Sequence, residues 1–259
     1  MIKIIKKIYI RFVKKLNYIG SGLSMRLVKW TGKHDTHIHP KHLIEKYPEY
    51  IKYFKSDDIV LDIGCDHGGR SFLIAPHVGS VDAFDYNQKR ISQAQKEQQR
   101  RNIANVTFSV LSAEDQLPFS DDSFTKIFFY DVIEHLYNRD QIVSECFRLL
   151  KSGGQLLVTA PNKNTPWKNF QKSVGLPYYA DADHKIEYDQ QEIESKLVRH
   201  GFTIESIKPI VYDTPWKGMI DLVGGISLNL YKKLMNWKIT KALKNPQGTT
   251  GFAIVAQKP

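Results

Sequence analysis

VLDIGCDHGGR, residues 60–70, opens as an apolar run of strand length and passes directly into a glycine-rich turn. A short apolar run bounded by turn formers is the pattern of a strand buried on both faces. Glycines after such a strand let backbone N–H groups approach a ligand where the next helix begins. A dinucleotide loop would need Gly-x-Gly-x-x-Gly and a diphosphate to cradle. The spacing here is Asp-x-Gly-x-x-x-Gly, from Asp62 through Gly64 to Gly68. The extra acid, Asp62, would repel a diphosphate and suits a ligand that carries an ammonium group and a sulfonium.

Working outward, strands are predicted at 59–63, 80–84, 106–110, 126–130, 155–160, 203–211 and 252–257. Helices are predicted at 69–77, 87–101, 138–150 and 190–200, the last opened by a capping box of Asp189 and Glu192. Alternation of this kind specifies a mostly parallel sheet with helices on both faces. Ligands of such sheets bind outside the carboxyl ends of the strands, where the strand order reverses. Asp85, at the tip of the second strand, is placed to accept hydrogen bonds from both hydroxyls of a ribose.

The 259 residues suffice for one large α/β domain without disulfides. Two cysteines, Cys65 and Cys146, lie far apart in patterned segments, which fits a reducing compartment and an intracellular, cytoplasmic protein. No cleavage site follows the N-terminal apolar residues, and no run of about 20 apolar residues spans a membrane. The net charge of +10 is concentrated at the start: Lys3, Lys6, Lys7, Arg11, Lys14, Lys15, Arg26, Lys29 and Lys33 all precede the first acid, Asp35. That asymmetry argues against a domain-wide nucleic-acid face.

Residues 1–33 are read as a basic N-terminal segment and 34–259 as the main domain. On a helix of residues 2–19, Ile5, Ile8, Tyr9, Phe12, Leu16 and Ile19 form one side and Lys3, Lys7, Arg11, Lys14 and Lys15 the other, with Gly20, Ser21 and Gly22 as a break. Such a helix docks on an anionic membrane surface, peripherally on the inner face, or packs as a lid. His34, His37, His39 and His42 follow, but Pro40 interrupts their spacing, and a loop into a helix of residues 41–54 is the simpler reading. Residues 161–186 and 212–250 are long and rich in aromatics, each with a Thr-Pro-Trp triplet. The apolar stretch within 212–250 is read as a lid, a dimer contact or a membrane-facing insertion.

The chain resembles the class I S-adenosylmethionine-dependent methyltransferases. The blocks that carry the likeness are VLDIGCDHGG at 60–69, VDAFD at 81–85, SAEDQLPFSDDSFTKIFFYDVIEHL at 112–136, LLKSGGQLLVTAPN at 149–162 and HKIEYDQQEIESKLVRHGF at 184–202. The pattern is nearest to the ubiquinone-pathway O-methyltransferases. The resemblance implies a Rossmann-like, doubly wound sheet of seven strands with the last antiparallel. It implies S-adenosylmethionine as cofactor, with Gly64 and Gly68 along its methionine end, Asp85 on the ribose and Ala113 and Glu114 on the adenine. Asp131 forms the wall near the methyl group, and Asp62, Cys65, Asp66 and Tyr86 complete the cofactor set. Asp66 replaces the family's usual glycine, and aspartate is among the side chains that best tolerate a left-handed turn. His67 is then a loop residue beside the cofactor.

YDVIEHL, residues 130–136, brings Asp131, Glu134 and His135 to the ligand end of the sheet. Relatives use a similar block to hold a divalent metal, but Asp131 is shorter than their glutamate, so a structural or acceptor-positioning role is preferred. Methyl transfer to a hydroxyl gains from a general base, and the candidates are His135 and His184, with Asp131 beside them. The leading expectation is an O-methyltransferase for a lipid-linked or membrane-proximal acceptor such as a quinone precursor or glycan intermediate. A methyltransferase of a soluble small molecule or sugar, and a non-catalytic cofactor-binding scaffold, are the alternatives. Nucleic acid is not expected as a partner, because no Asn-Pro-Pro-Tyr motif is present.

Overall fold

The computed structural model describes residues 2–35, 37–44 and 49–259. They divide into two units. One contains the sheet and comprises Tyr47–Pro161, Asp181–Lys208 and Phe252–Pro259; the other is helical and comprises Met1–Lys46, Asn162–Ala180 and Pro209–Gly251.

The sheet unit has β1 (Ile59–Ile63), β2 (Ser80–Asp85), β3 (Val106–Val110), β4 (Phe124–Phe129), β5 (Leu150–Pro161), β6 (Thr203–Pro209) and β7 (Gly251–Gln257), in the order β3-β2-β1-β4-β5-β7-β6. β1 pairs in parallel with β2 and with β4, as do β2 with β3 and β4 with β5. β7 runs against β5: Gly153 and Gly154 bond to Lys258, whereas Asn162 bonds to Thr250. The architecture is the Rossmann-like sheet with a reversed last strand that the resemblance implies. The order reverses between β1 and β4, so the carboxyl ends of those two strands border the crevice where ligands of such sheets bind.

Alternation along β1 explains why it is apolar apart from Asp62. Val60 packs with Phe72, Ile74 and Ile91, on the face of α3 (Gly69–Ile74) and α4 (Gln88–Arg101). Leu61 and Ile63 pack with Ile142, Val143, Ile193 and Leu197, on the face of α5 (Arg139–Leu149) and α7 (Gln190–Arg199). The capping box opens α7 as anticipated: Asp189 accepts the N–H of Glu192 and Glu192 accepts the N–H of Asp189, both at 2.9 Å.

The helical unit contains α1 (Ile2–Trp30), α2 (Lys41–Ile44), α6 (Pro166–Ser173), α8 (Lys217–Ile226) and α9 (Leu228–Lys244). Here the sequence reading is corrected in two respects. Gly20, Ser21 and Gly22 do not interrupt the first helix, which runs unbroken for 29 residues. They serve a close helix crossing instead: a Cβ on Gly218 would sit 2.1 Å from the carbonyl oxygen of Asn17, and one on Gly20 would sit 2.5 Å from that of Gly218. Asn17 stitches the crossing by donating to the Pro215 carbonyl at 2.6 Å and accepting from the Gly218 N–H at 2.9 Å.

Second, the helix anticipated at 41–54 is a single turn, Lys41–Ile44, and a 3-10 turn, Glu49–Tyr53; residues 45–48 lie outside the described residues. His39 from the histidine-rich loop pairs with Asp221 at 3.0 Å, and Ser21 and Tyr231 donate to the same carboxylate. The side chain of His42 lies outside the described residues.

The face that α1 buries is Ile10, Val13, Asn17, Gly20, Ser24 and Val28. The apolar stripe read from the sequence is instead largely exposed, with Ile5, Ile8 and Phe12 at 59%, 62% and 57%. Among the described residues, no helix is long and apolar enough to cross a membrane.

Candidate functional site

β1 ends at Ile63, and the chain turns through Gly64, Asp66 and Gly68 with φ of 71°, 51° and 79°. Asp66 thus adopts the left-handed conformation its position demands. Gly64 is required twice over, since a Cβ there would lie 2.5 Å from the Val132 side chain, which follows β4. The turn amides are spent internally: Gly64 and Cys65 donate to the Phe84 carbonyl, and Gly68 donates to that of Cys65, all at 2.9 Å. A phosphate cradle needs such amides aimed at the ligand, so the loop is not built as one.

Asp85 stands at the tip of β2. Its two oxygens accept the N–H groups of Asp66 at 3.1 Å and Asn87 at 2.9 Å. Each carboxylate oxygen has a further lone pair, so the group is oriented rather than used up. Tyr86 beside it is exposed. Asp62 is buried beneath the turn, accepts from the Ser71 hydroxyl at 2.6 Å, and burial pushes its carboxyl up to about 6. Burial likewise pushes the Cys65 thiol up and keeps it protonated. Asp66 pairs with Arg90 at 2.9 Å and touches the imidazole of His67, whose pKa is raised by that hydrogen bond.

The opposite rim is built by the segment after β4. Asp131 has φ of 58°, donates its N–H to the Thr159 hydroxyl at 2.8 Å and pairs with Arg70 at 2.6 Å. Glu114 accepts the N–H groups of Tyr137 at 2.6 Å and Asn138 at 2.8 Å, and so holds the end of this segment; Ala113 precedes it, half-buried. The metal-type grouping differs from the one anticipated. Glu134 and His135 gather with His184 rather than with Asp131, their ligand atoms all within 4.8 Å of one another.

His184 meets the buried Glu187 through Nδ1 at 3.0 Å, while its Nε2 lies 3.9 Å from Glu134. A carboxylate only accepts, so Nδ1 carries the proton and Nε2 is the basic nitrogen. The ring of His135 stands edge-on to that of His184, with centroids 4.9 Å apart. Burial first, and then the charge of Asp131, push the Glu134 carboxyl up to about 7. Glu134 Oε2 and the Tyr188 hydroxyl are buried without a hydrogen-bond partner among the described residues. Orphaned buried oxygens mark places where a ligand or ion completes the structure. A carboxylate with two imidazoles fits a divalent cation, and equally an acceptor hydroxyl. Glu187 was missed in the sequence, although its i+3 spacing from His184 within HKIEY was visible.

A family model described as a methyltransferase domain matches residues 54–213. A protein of Mycolicibacterium smegmatis, named a probable S-adenosylmethionine-dependent methyltransferase, is 32% identical over 56% of this chain and 52% of its own length. A ubiquinone biosynthesis O-methyltransferase of Pseudomonas fluorescens is 28% identical over 60% of this chain and 68% of its own. The chain spans about half the length of the mycobacterial relatives it matches. Among solved structures, the cyclase SpnF superposes with a TM-score of 0.60 at 20% identity, over 80% of this chain and 76% of its own. A cyclase on this fold shows that architecture alone does not name the reaction. The family match is a matter of sequence: it takes in β1 through β6 with both rims of the crevice, and the chain belongs to the methyltransferase-domain family.

Proposed function

We propose that this protein is an S-adenosylmethionine-dependent methyltransferase that O-methylates a lipid-linked or membrane-proximal acceptor, such as a quinone precursor or a glycan intermediate. The observation that carries the reading is the His184–Glu187 pair beside the orphaned oxygen of Glu134. In a member of this family, a base steadied by a second carboxylate serves an acceptor that must lose a proton. When bound, S-adenosylmethionine supplies a methyl on a sulfonium that brings its own leaving group. The chain's tasks are then to orient the acceptor, exclude water and take the proton.

Asp85 holds the ribose, Asp62 stands near the ammonium end, and Gly64, Cys65, Asp66 and Gly68 shape the floor; Tyr86, Ala113 and Glu114 flank the adenine. Nε2 of His184 receives the hydroxyl proton, with His135 and Asp131 positioning the acceptor. Glu134 binds the acceptor hydroxyl, or a divalent cation with the two histidines. The stripe of Ile5, Ile8 and Phe12, flanked by Lys3, Lys7 and Arg11, supports peripheral attachment to the inner, anionic face of a membrane. Residues 1–33 are the docking segment of a cytoplasmic protein in this reading, with 34–259 the catalytic part and 212–250 its membrane-facing insertion.

The test is transfer of a labelled methyl from S-adenosylmethionine into a host-cell extract, split into organic and aqueous fractions. Label in the organic fraction is the expected result. Aqueous label would replace the lipid-linked acceptor with a soluble small molecule or sugar.

A further inference from the structure

The helical unit holds a cavity of about 740 Å³, bounded by α1, α6, α8 and the segment around Tyr178 and Asp213. Its lining is chemically divided. Among the described residues, Lys14, Arg26, Lys168 and Lys217 supply four cations, against the single carboxylate of Asp213. Ile19, Leu23, Met25, Trp167 and Tyr178 supply apolar surface.

Two of the cations, Lys14 and Lys168, are held in place. Lys14 donates to the Pro177 carbonyl at 2.6 Å and the buried Lys168 to that of Asn162 at 2.8 Å, while Asp213 accepts from the Thr165 hydroxyl at 2.5 Å. The ammonium groups of Lys14 and Lys217 repel one another, and this adds to burial in lowering the pKa of Lys14. Two like charges on the lining of one cavity, with neither in a described ion pair, are stabilised by an anion between them. The apolar side opens where Ile19 and Leu23 are exposed, continuing the uncovered stripe of α1.

We propose that this cavity binds the phosphorylated head of an amphiphile, a phosphomonoester or diphosphate, between Lys14 and Lys217, with the tail leaving along Ile19 and Leu23. The inference rests on the membrane-proximal reading above and gives its ligand a chemical class. An ordinary polybasic surface responds to charge density alone. A cavity with paired lysines discriminates a doubly charged phosphomonoester from a singly charged phosphodiester at equal surface charge.

The experiment measures binding of the full chain to phosphatidylcholine vesicles doped with phosphatidic acid or with phosphatidylglycerol, at matched net charge. Wild-type protein is expected to prefer phosphatidic acid by on the order of tenfold, and K14Q/K217Q to lose that preference while keeping its phosphatidylglycerol binding. K3Q/K7Q, on the exposed lysines, should weaken both equally. Calorimetry with monomeric dioctanoyl phosphatidic acid and with inorganic pyrophosphate separates the sources and needs no variant to fold. Dioctanoyl phosphatidic acid binding well above pyrophosphate supports the amphiphile, and equal binding overturns it in favour of a free anion. Equal vesicle affinities unaffected by K14Q/K217Q overturn the cavity site while leaving membrane docking intact. Binding of dioctanoyl phosphatidic acid without any vesicle binding supports the cavity and overturns the docking reading instead.

Discussion

Substituting glutamine for Glu134 removes a proton site whose cost to the fold is large enough to measure. Burial raises this carboxyl from 4.5 to about 7. Between those values the folded chain holds a proton that the unfolded chain has released, so stability falls as pH rises through the window. At about 1.36 kcal/mol per unit the whole effect is about 3 kcal/mol, of which about 2 kcal/mol falls between about pH 5.5 and about pH 8.5. Glutamine keeps the shape and cannot ionise. Urea denaturation of both proteins at those two pH values, with a chelator present, should therefore show the variant gaining about 2 kcal/mol on the wild type at the higher pH. Asp62, raised by burial to about 6, contributes with the same sign in both proteins and cancels in the comparison. A difference that stays constant between the two pH values would mean that Glu134 is ionised throughout, and the orphaned-carboxyl account of the site would fail.

Other consequences are as direct. His184→Gln should lower kcat by about 10² to 10⁴ while leaving affinity for S-adenosylmethionine unchanged in calorimetry; an equal loss of affinity would make the residue structural. Asp85→Ala removes the acceptor of two turn amides together with the proposed ribose contact, and about 2 kcal/mol, near 30-fold in cofactor Kd, is the expected loss. Unchanged cofactor binding would move the ribose elsewhere. Gly218→Ala puts a methyl 2.1 Å from the Asn17 carbonyl and forces α1 from α8; denaturation should show a loss of about 1–3 kcal/mol, and a neutral result would mean the helices cross less closely than described.

The sheet was legible because one rule, alternation of apolar strands with capped helices, repeats along the whole unit. The places of Gly64 and Asp85 were legible for the same reason: Gly64 follows the end of β1 and Asp85 ends β2, and a strand end is marked by where its apolar run stops. The rim beyond β4 was less so. Asp131 meets Thr159 and Arg70, while Glu134 and His135 meet His184, which lies 49 residues beyond His135. Such a meeting is a product of packing, and no local pattern announces it. Glu114 shows the limit most plainly, since its carboxylate holds two backbone amides that its sequence neighbourhood does not mention.

The first helix shows why apolar periodicity can identify an element and still misjudge its use. The pattern found Ile5, Ile8 and Phe12, and large apolar residues on one stripe ordinarily mean the packed face. The helix instead packs through Ile10, Val13, Asn17, Gly20, Ser24 and Val28, and at its crossing with α8 the small side chains let the two backbones approach while Asn17 supplies the hydrogen bonds. A hydropathy pattern gives the small residues of that face no weight, because their attraction comes from close contact rather than from apolar area. Small residues on the packed side leave the large ones uncovered, and uncovering them costs about 25 cal/mol per Å² unless something apolar meets them. Basic residues border that stripe at Lys3, Lys7 and Arg11, so what meets it must offer both an apolar interior and negative charge. An anionic membrane surface satisfies both conditions. Replacing Ile5, Ile8 and Phe12 together with serine should then abolish vesicle binding without lowering stability in urea. A loss of stability instead would mean that the stripe belongs to the fold.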